Sequence, residues 1–150
     1  MPLKIVQFLA VVLTALALVP GGAHAFVIPN KIELGAEQYF IVQNIYRGWA
    51  WFGIALFGAL LADLALAFML RRRNGAPFAL ALFASGCLAL TLVIFFVWTY
   101  PANQITNNWT TIPDAWEYFR RQWEYSHAVN AAITFVGLCS VTLSVVTTRE

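Results

Sequence analysis

Four long stretches of this chain are overwhelmingly apolar: 3–19, 45–70, 78–100 and 128–146. They constrain the fold more than any other feature. A helix needs about 20 apolar residues to cross a bilayer. The last three stretches meet that length, and the first is short. Lipid offers backbone N–H and C=O groups no partner, so such stretches are expected to be helices. The remaining residues cannot cover a water-facing surface, because the chain is 61% hydrophobic and only 11% charged. A soluble domain carries roughly 25% charged residues. The expected fold is therefore all-α. It is a polytopic membrane protein and a single domain over 1–150, a four-transmembrane-helix bundle with spans near 3–19, 45–70, 78–100 and 124–146.

The first stretch has a second reading. Lys4, the apolar run, Pro20-Gly21-Gly22 and then Ala23-His24-Ala25 also match a secretory signal with an A-x-A cleavage site. On that reading three spans follow from Phe26.

Orientation comes from lysine and arginine. Arg71-Arg72-Arg73 lies in the short loop between the second and third stretches, which places that loop on the cytoplasmic side. Lys4 and Arg149 then fall inside, and both termini are cytoplasmic. Lys31, Arg47, Arg120 and Arg121 fall outside. The two long connections, 20–44 and 101–123, are extracytoplasmic and are expected to contain short helical extensions. In the first, 35–46 reads as a helix leading into the second span, with Tyr39, Gln43 and Tyr46 on one face. In the second, Asp114 and Glu117 form a capping-box pattern. The helix they open runs unbroken over 115–146, about 48 Å at 1.5 Å per residue.

On that helix Trp116, Arg120, Trp123, His127 and Asn130 follow at spacings that make one stripe. The other flank carries Glu117, Arg121 and Glu124. Aromatic and basic residues at a membrane surface also serve as plain anchors. His127 and Asn130 lie deeper, where a polar group without a partner is costly. His24, the other of the two histidines, would sit at a similar depth. Two histidines fall short of the three protein ligands of a typical catalytic zinc site. Glu33, Glu37 or Glu124 would have to complete one, and no metal site is expected. Asp63, inside the second span, is a functional candidate by its position. Cys87 and Cys139 lie in apolar runs without ligand spacing, and both read as small core residues, with a disulfide open. Asn108-Trp109-Thr110 matches a glycosylation pattern. The few scattered basic residues argue against nucleic acid. There is no Gly-rich phosphate loop, nucleophile elbow, HExxH or paired-histidine haem pattern, so no cofactor is expected. The expected partners are the lipid bilayer and a lipophilic small molecule.

Four segments, AHAFVIPNKIEL, QYFIVQNIYRGWAWFG, TYPANQITNNWT and PDAWEYFRRQWEYSHAVNA, resemble a family of small bacterial four-helix membrane proteins, the anthrone-oxygenase-like group. Much of that group consists of domains of unknown function. The resemblance runs from about His24 to Ser144. It is strongest at Trp109, Trp116, Arg120, Trp123 and His127, with Asn103 and Asn107 upstream. It implies a multi-pass protein of the bacterial inner membrane, and it reads the segment from Ala23 as a link between two helices. Some fungal relatives oxidise anthrones to anthraquinones without metal or flavin. The pattern shared with the family identifies no catalytic base.

Two functions follow as expectations. The first is a non-catalytic membrane protein, a lipophilic-ligand binder or accessory subunit. Its extracytoplasmic pocket would be lined by Trp109, Trp116, Trp123, Tyr46, Arg47, Asn103 and Asn107, with Arg120 and Arg47 paired to Glu33, Glu37 or Glu124. The alternative is a cofactor-independent oxygenase of anthrone- or quinol-like compounds, with His127 as base and Arg120 or Asn130 holding the oxyanion. A transporter is less favoured, since four short spans and one intramembrane carboxylate make a small pathway.

Overall fold

Three of the four long apolar stretches become helices that extend past their apolar limits, and the second, 45–70, becomes a shorter span, Trp49–Leu70. In the computed structural model, which describes residues 2–73 and 75–148, every regular element is helical. Helix α1 spans Pro2–Lys31, α2 Ala36–Gln43, α3 Phe52–Leu70, α4 Ala76–Ile94, α5 Tyr100–Ile105 and α6 Trp116–Thr147. Four helical stretches are long and apolar enough to cross a membrane: Pro2–Lys31, Trp49–Leu70, Ala76–Ile105 and Trp116–Thr147.

Helix α1 departs most from the reading of the sequence. It passes through Pro20, Gly21 and Gly22, and through Ala23-His24-Ala25, where a link or a cleavage site was expected. Proline removes one N–H, but the helix carries on because its continuation is packed. Gly21 lies so close to α6 that a Cβ there would meet the Ala131 Cα at 3.3 Å. Beyond it, His24 and Lys31 are buried. The expected connection shrinks to 32–35 before α2 begins.

Helix α2 ends in a 3₁₀ turn, Asn44–Tyr46, and a second 3₁₀ turn, Trp49–Trp51, opens α3. Between them Gly48 has φ 87°, a left-handed conformation that glycine adopts without strain. The expected single helix into the second span is thus two helices with a corner at Arg47-Gly48. The third span also overruns its expected end at 100. Wide π-type turns over Phe95–Thr99 join α4 to α5, so the helical rod continues through Pro101 to Ile105. Helix α6 is unbroken, as expected. Its capping box is not formed, because the N-cap position falls on Ala115, one residue after Asp114. Backbone bonds from Trp116 N to Pro113 O (3.0 Å) and Tyr118 N to Ala115 O (3.1 Å) close its first turn.

Each long helix packs on two others: α1 on α3 and α6, and α4 on α3 and α6. The result is a four-helix ring. Near the Arg71–Arg73 turn its core holds Leu66, Leu70, Ala81, Ala84 and Val141. Small residues bring α4 and α6 close there. Ser140 donates to Leu80 O (3.0 Å) and Ser144 to Pro77 O (2.7 Å). Large apolar side chains such as Phe57, Leu61, Phe68, Phe83 and Phe135 point outward. Cys87 is buried, Cys139 is exposed and both are free thiols.

Candidate functional site

The two long connections and the ends of α1 and α6 meet at the opposite end of the bundle. A buried polar and aromatic cluster forms there in three layers.

The outermost layer is mainly aromatic. Tyr39, Phe40, Trp109 and Trp123 are buried together, with Trp116 packed against them. The Asn103 amide oxygen accepts both the Trp109 indole N–H (3.0 Å) and the Trp123 indole N–H (2.8 Å). Trp109 reaches this position from a loop in which Asn107, Asn108 and Trp109 have φ of 48°, 53° and 64°. Three successive left-handed residues, two of them asparagine, make the sharp reversal. Arg120 is buried, donates to Leu34 O (2.7 Å) and lies over the Trp116 ring at 4.5 Å.

The middle layer is ionic. Lys31 and Glu124 are 1% and 0% exposed, and Lys31 Nζ lies 2.9 Å from Glu124 Oε1. The Tyr39 hydroxyl donates to the same oxygen (2.6 Å) and accepts from the Gln43 amide (2.9 Å). Lys31 also donates to the Tyr46 hydroxyl (3.1 Å). Burial, with the Glu124 charge beside it, pushes the Tyr39 phenol well above its ordinary range.

The deepest layer is a pair of imidazoles. The His24 and His127 ring centroids are 4.3 Å apart. Trp123 lies 4.6 Å from His24 and 4.3 Å from His127, and Tyr46 lies 4.2 Å from His24. His24 is buried and its Nδ1 has no partner. His127, Tyr46 and Trp49 are half-buried and form the accessible side of this layer.

The expected stripe on α6 thus divides. Trp123 and His127 join the imidazole layer, and Trp116 and Arg120 the aromatic one. Asn130 turns to α4, donating to Thr91 O (3.3 Å). Two expected lining residues stand apart. Arg47 is exposed and bonds Asn44 (3.0 Å), while Asn107 is exposed in the loop. The expected pairing of Arg120 and Arg47 with Glu33, Glu37 or Glu124 gives way to Lys31–Glu124. Glu124 is on the flank of Glu117 and Arg121 by spacing, yet it is also four residues from Arg120 and is buried. Lys31 is the residue that the sequence reading missed, and with it the partner of Glu124. The available signal was a lysine closing a long apolar helix and a glutamate at i+4 from an inward arginine. Among the described residues no three His, Cys, Asp or Glu side chains are grouped to hold a metal. A separate apolar groove along the α4–α6 seam, lined by Phe83, Leu90, Ile133 and Val136, shares no residue with the cluster.

Comparison with protein-family models, curated proteins and solved structures gives no match to this chain.

Proposed function

We propose that this chain is a multi-pass membrane protein with its termini and arginine turn on the cytoplasmic side. Its polar-aromatic cluster, on the far side, receives the polar head of a lipophilic small molecule at the His24–His127 pair. The membrane reading is supported by four apolar helices whose large side chains point outward. One observation carries the ligand reading. Two adjacent imidazoles sit in an aromatic surround, one nitrogen of His24 is buried without a partner, and His127 has no hydrogen bond among the described residues. An unsatisfied buried polar atom costs about 1–3 kcal/mol, which a ligand's polar group would offset.

The test is mass spectrometry of the purified protein under conditions gentle enough to retain ligands. A lipophilic molecule bound to the wild type and absent from a folded His127→Phe variant supports the reading. A bare wild type that also gains no adduct in native lipid extract would leave a structural or subunit role.

A second reading, a cofactor-independent oxygenase, is favoured by one feature: the imidazole of His127 is half-buried and uncommitted, as a general base requires. In this arrangement the neighbouring polar group is His24, because Arg120 and Asn130 are bonded to backbone carbonyls elsewhere. Oxygen uptake with an anthrone, abolished in His127→Phe, is its test. Undiminished uptake in that variant removes His127 from the chemistry.

A further inference from the structure

The face of α1 turned into the bundle carries a broken file of polar residues, with no buried residue between Thr14 and His24. Its buried residues are Gln7, Ala10, Thr14, His24 and Lys31. From Gln7 to Lys31 this file extends about 36 Å at 1.5 Å per residue. At its upper end it meets the His127 and Glu124 groups described above. Lower down it meets Asp63 of α3, which is 0% exposed. Neither Asp63 oxygen has a hydrogen-bond partner, and neither does the hydroxyl of Thr14, also 0% exposed, which is the polar side chain facing it.

We infer that Asp63 and Thr14 form a proton-binding site inside the bundle. Asp63 holds an exchangeable proton there. The inference goes beyond the ligand reading and does not depend on it.

The surroundings decide what Asp63 binds. On α1, Lys4 and His24 each lie ten residues from Thr14, about 15 Å along the axis. On α3, Arg71 lies eight residues from Asp63, about 12 Å. Helix α4 carries no charged residue, and Cys87 is its titratable group. The half of α6 beyond Asn130 carries none either, only Cys139. Among the described residues no cation faces the carboxyl. A carboxylate in such a place forfeits its solvation for at most one donor, the Thr14 hydroxyl. The acid form brings its own O–H donor, and Thr14 Oγ1 is the acceptor at hand. A hard metal ion would need about six or more oxygens, and this place offers three. One more buried hydroxyl lies nearby, and it donates to Asn130 O (2.7 Å). Thr134 is buried on α6 seven residues beyond His127, on the same face and between the levels of the imidazoles and Asp63.

The experiment is infrared spectroscopy of the full chain in liposomes, with ¹³C-labelled aspartate. The sequence contains just two aspartates, Asp63 and the exposed Asp114, so Asp114→Asn leaves one labelled carboxyl. At neutral pH the expected result is an isotope-shifted carboxylic-acid C=O band that moves in D₂O. Thr14→Val shifts its frequency without abolishing it, and Asp63→Asn removes it. Because the label assigns the band by itself, a failure of Asp63→Asn to fold leaves the test intact. A carboxylate stretch in place of the acid band overturns the inference, and so does one that responds to sodium. An acid band unchanged in D₂O refutes exchange.

Discussion

Replacing Lys31 by methionine should be among the most damaging single changes outside the apolar core. The ammonium is 1% exposed, and its distance to a fully buried Glu124 oxygen is 2.9 Å. At an effective dielectric of about 20, that separation corresponds to a gross attraction of about 6 kcal/mol. Desolvation of both charges offsets much of it. Removing one partner, however, leaves the other buried and uncompensated, at a cost of about 3–5 kcal/mol. That is a hundredfold or more in the folded-to-unfolded ratio, at 1.4 kcal/mol per decade. Glu124→Gln strands Lys31 with the Tyr46 and Gln43 oxygens alone, and is expected to be nearly as harmful. The double variant Lys31→Met/Glu124→Gln has no buried charge left at this position, and should recover about 2 kcal/mol or more relative to the sum of the singles. Reversible unfolding in mixed micelles, followed by helical circular dichroism and tryptophan emission, gives the four values of the cycle. Effects that add to within about 0.5 kcal/mol would refute the claim that this pair acts as a unit.

Three further outcomes are expected. Asn103→Leu removes the oxygen shared by two indole N–H groups; stranding buried donors costs about 1–3 kcal/mol each, and the loss should appear as a lower unfolding midpoint with altered tryptophan emission. Gly48→Val forces a β-branched residue into φ 87°, a cost of about 1–3 kcal/mol that a thermal shift would register and that Gly48→Asn should largely avoid. The third concerns pH. The Tyr39 phenol is raised in the folded state, so its stabilisation is complete below the ordinary tyrosine value of about 10 and is lost as pH rises beyond it. In an ultraviolet titration, the phenolate signal that Tyr39→Phe deletes should emerge together with unfolding, and a smooth rise in a still-folded protein would contradict the assignment.

Much of this architecture is legible in the amino-acid order because it rests on local rules. Hydropathy marks four long helices, and period 3.6 puts Tyr39, Gln43 and Tyr46 on one face, where Gln43 and Tyr46 accept from Lys31 and Gln43 donates to Tyr39. The unbroken run from Trp116 is legible for the same reason. Other features depend on what comes near in space. Pro20-Gly21-Gly22 looks like a stop until α6 is seen packed on Gly21. Glu124 looks like a partner for an arginine until Lys31 arrives from the other end of the chain. The similar depth of His24 and His127 is legible, but their edge-on packing against Trp123, and that of His24 against Tyr46, needed the folded arrangement.

The Tyr39–Glu124 hydrogen bond joins residues 85 positions apart, and Lys31 waits for the same carboxylate. A nascent chain delivers its N-terminal end first. Helix α1 and the Tyr39 segment are therefore made long before the residue that neutralises Lys31. Until α6 is in place, the lysine and the phenol must stay with water or with a helper that shields them. Closure of the outer end therefore cannot precede the synthesis of Glu124, and a chain truncated before it would keep Lys31 without its carboxylate.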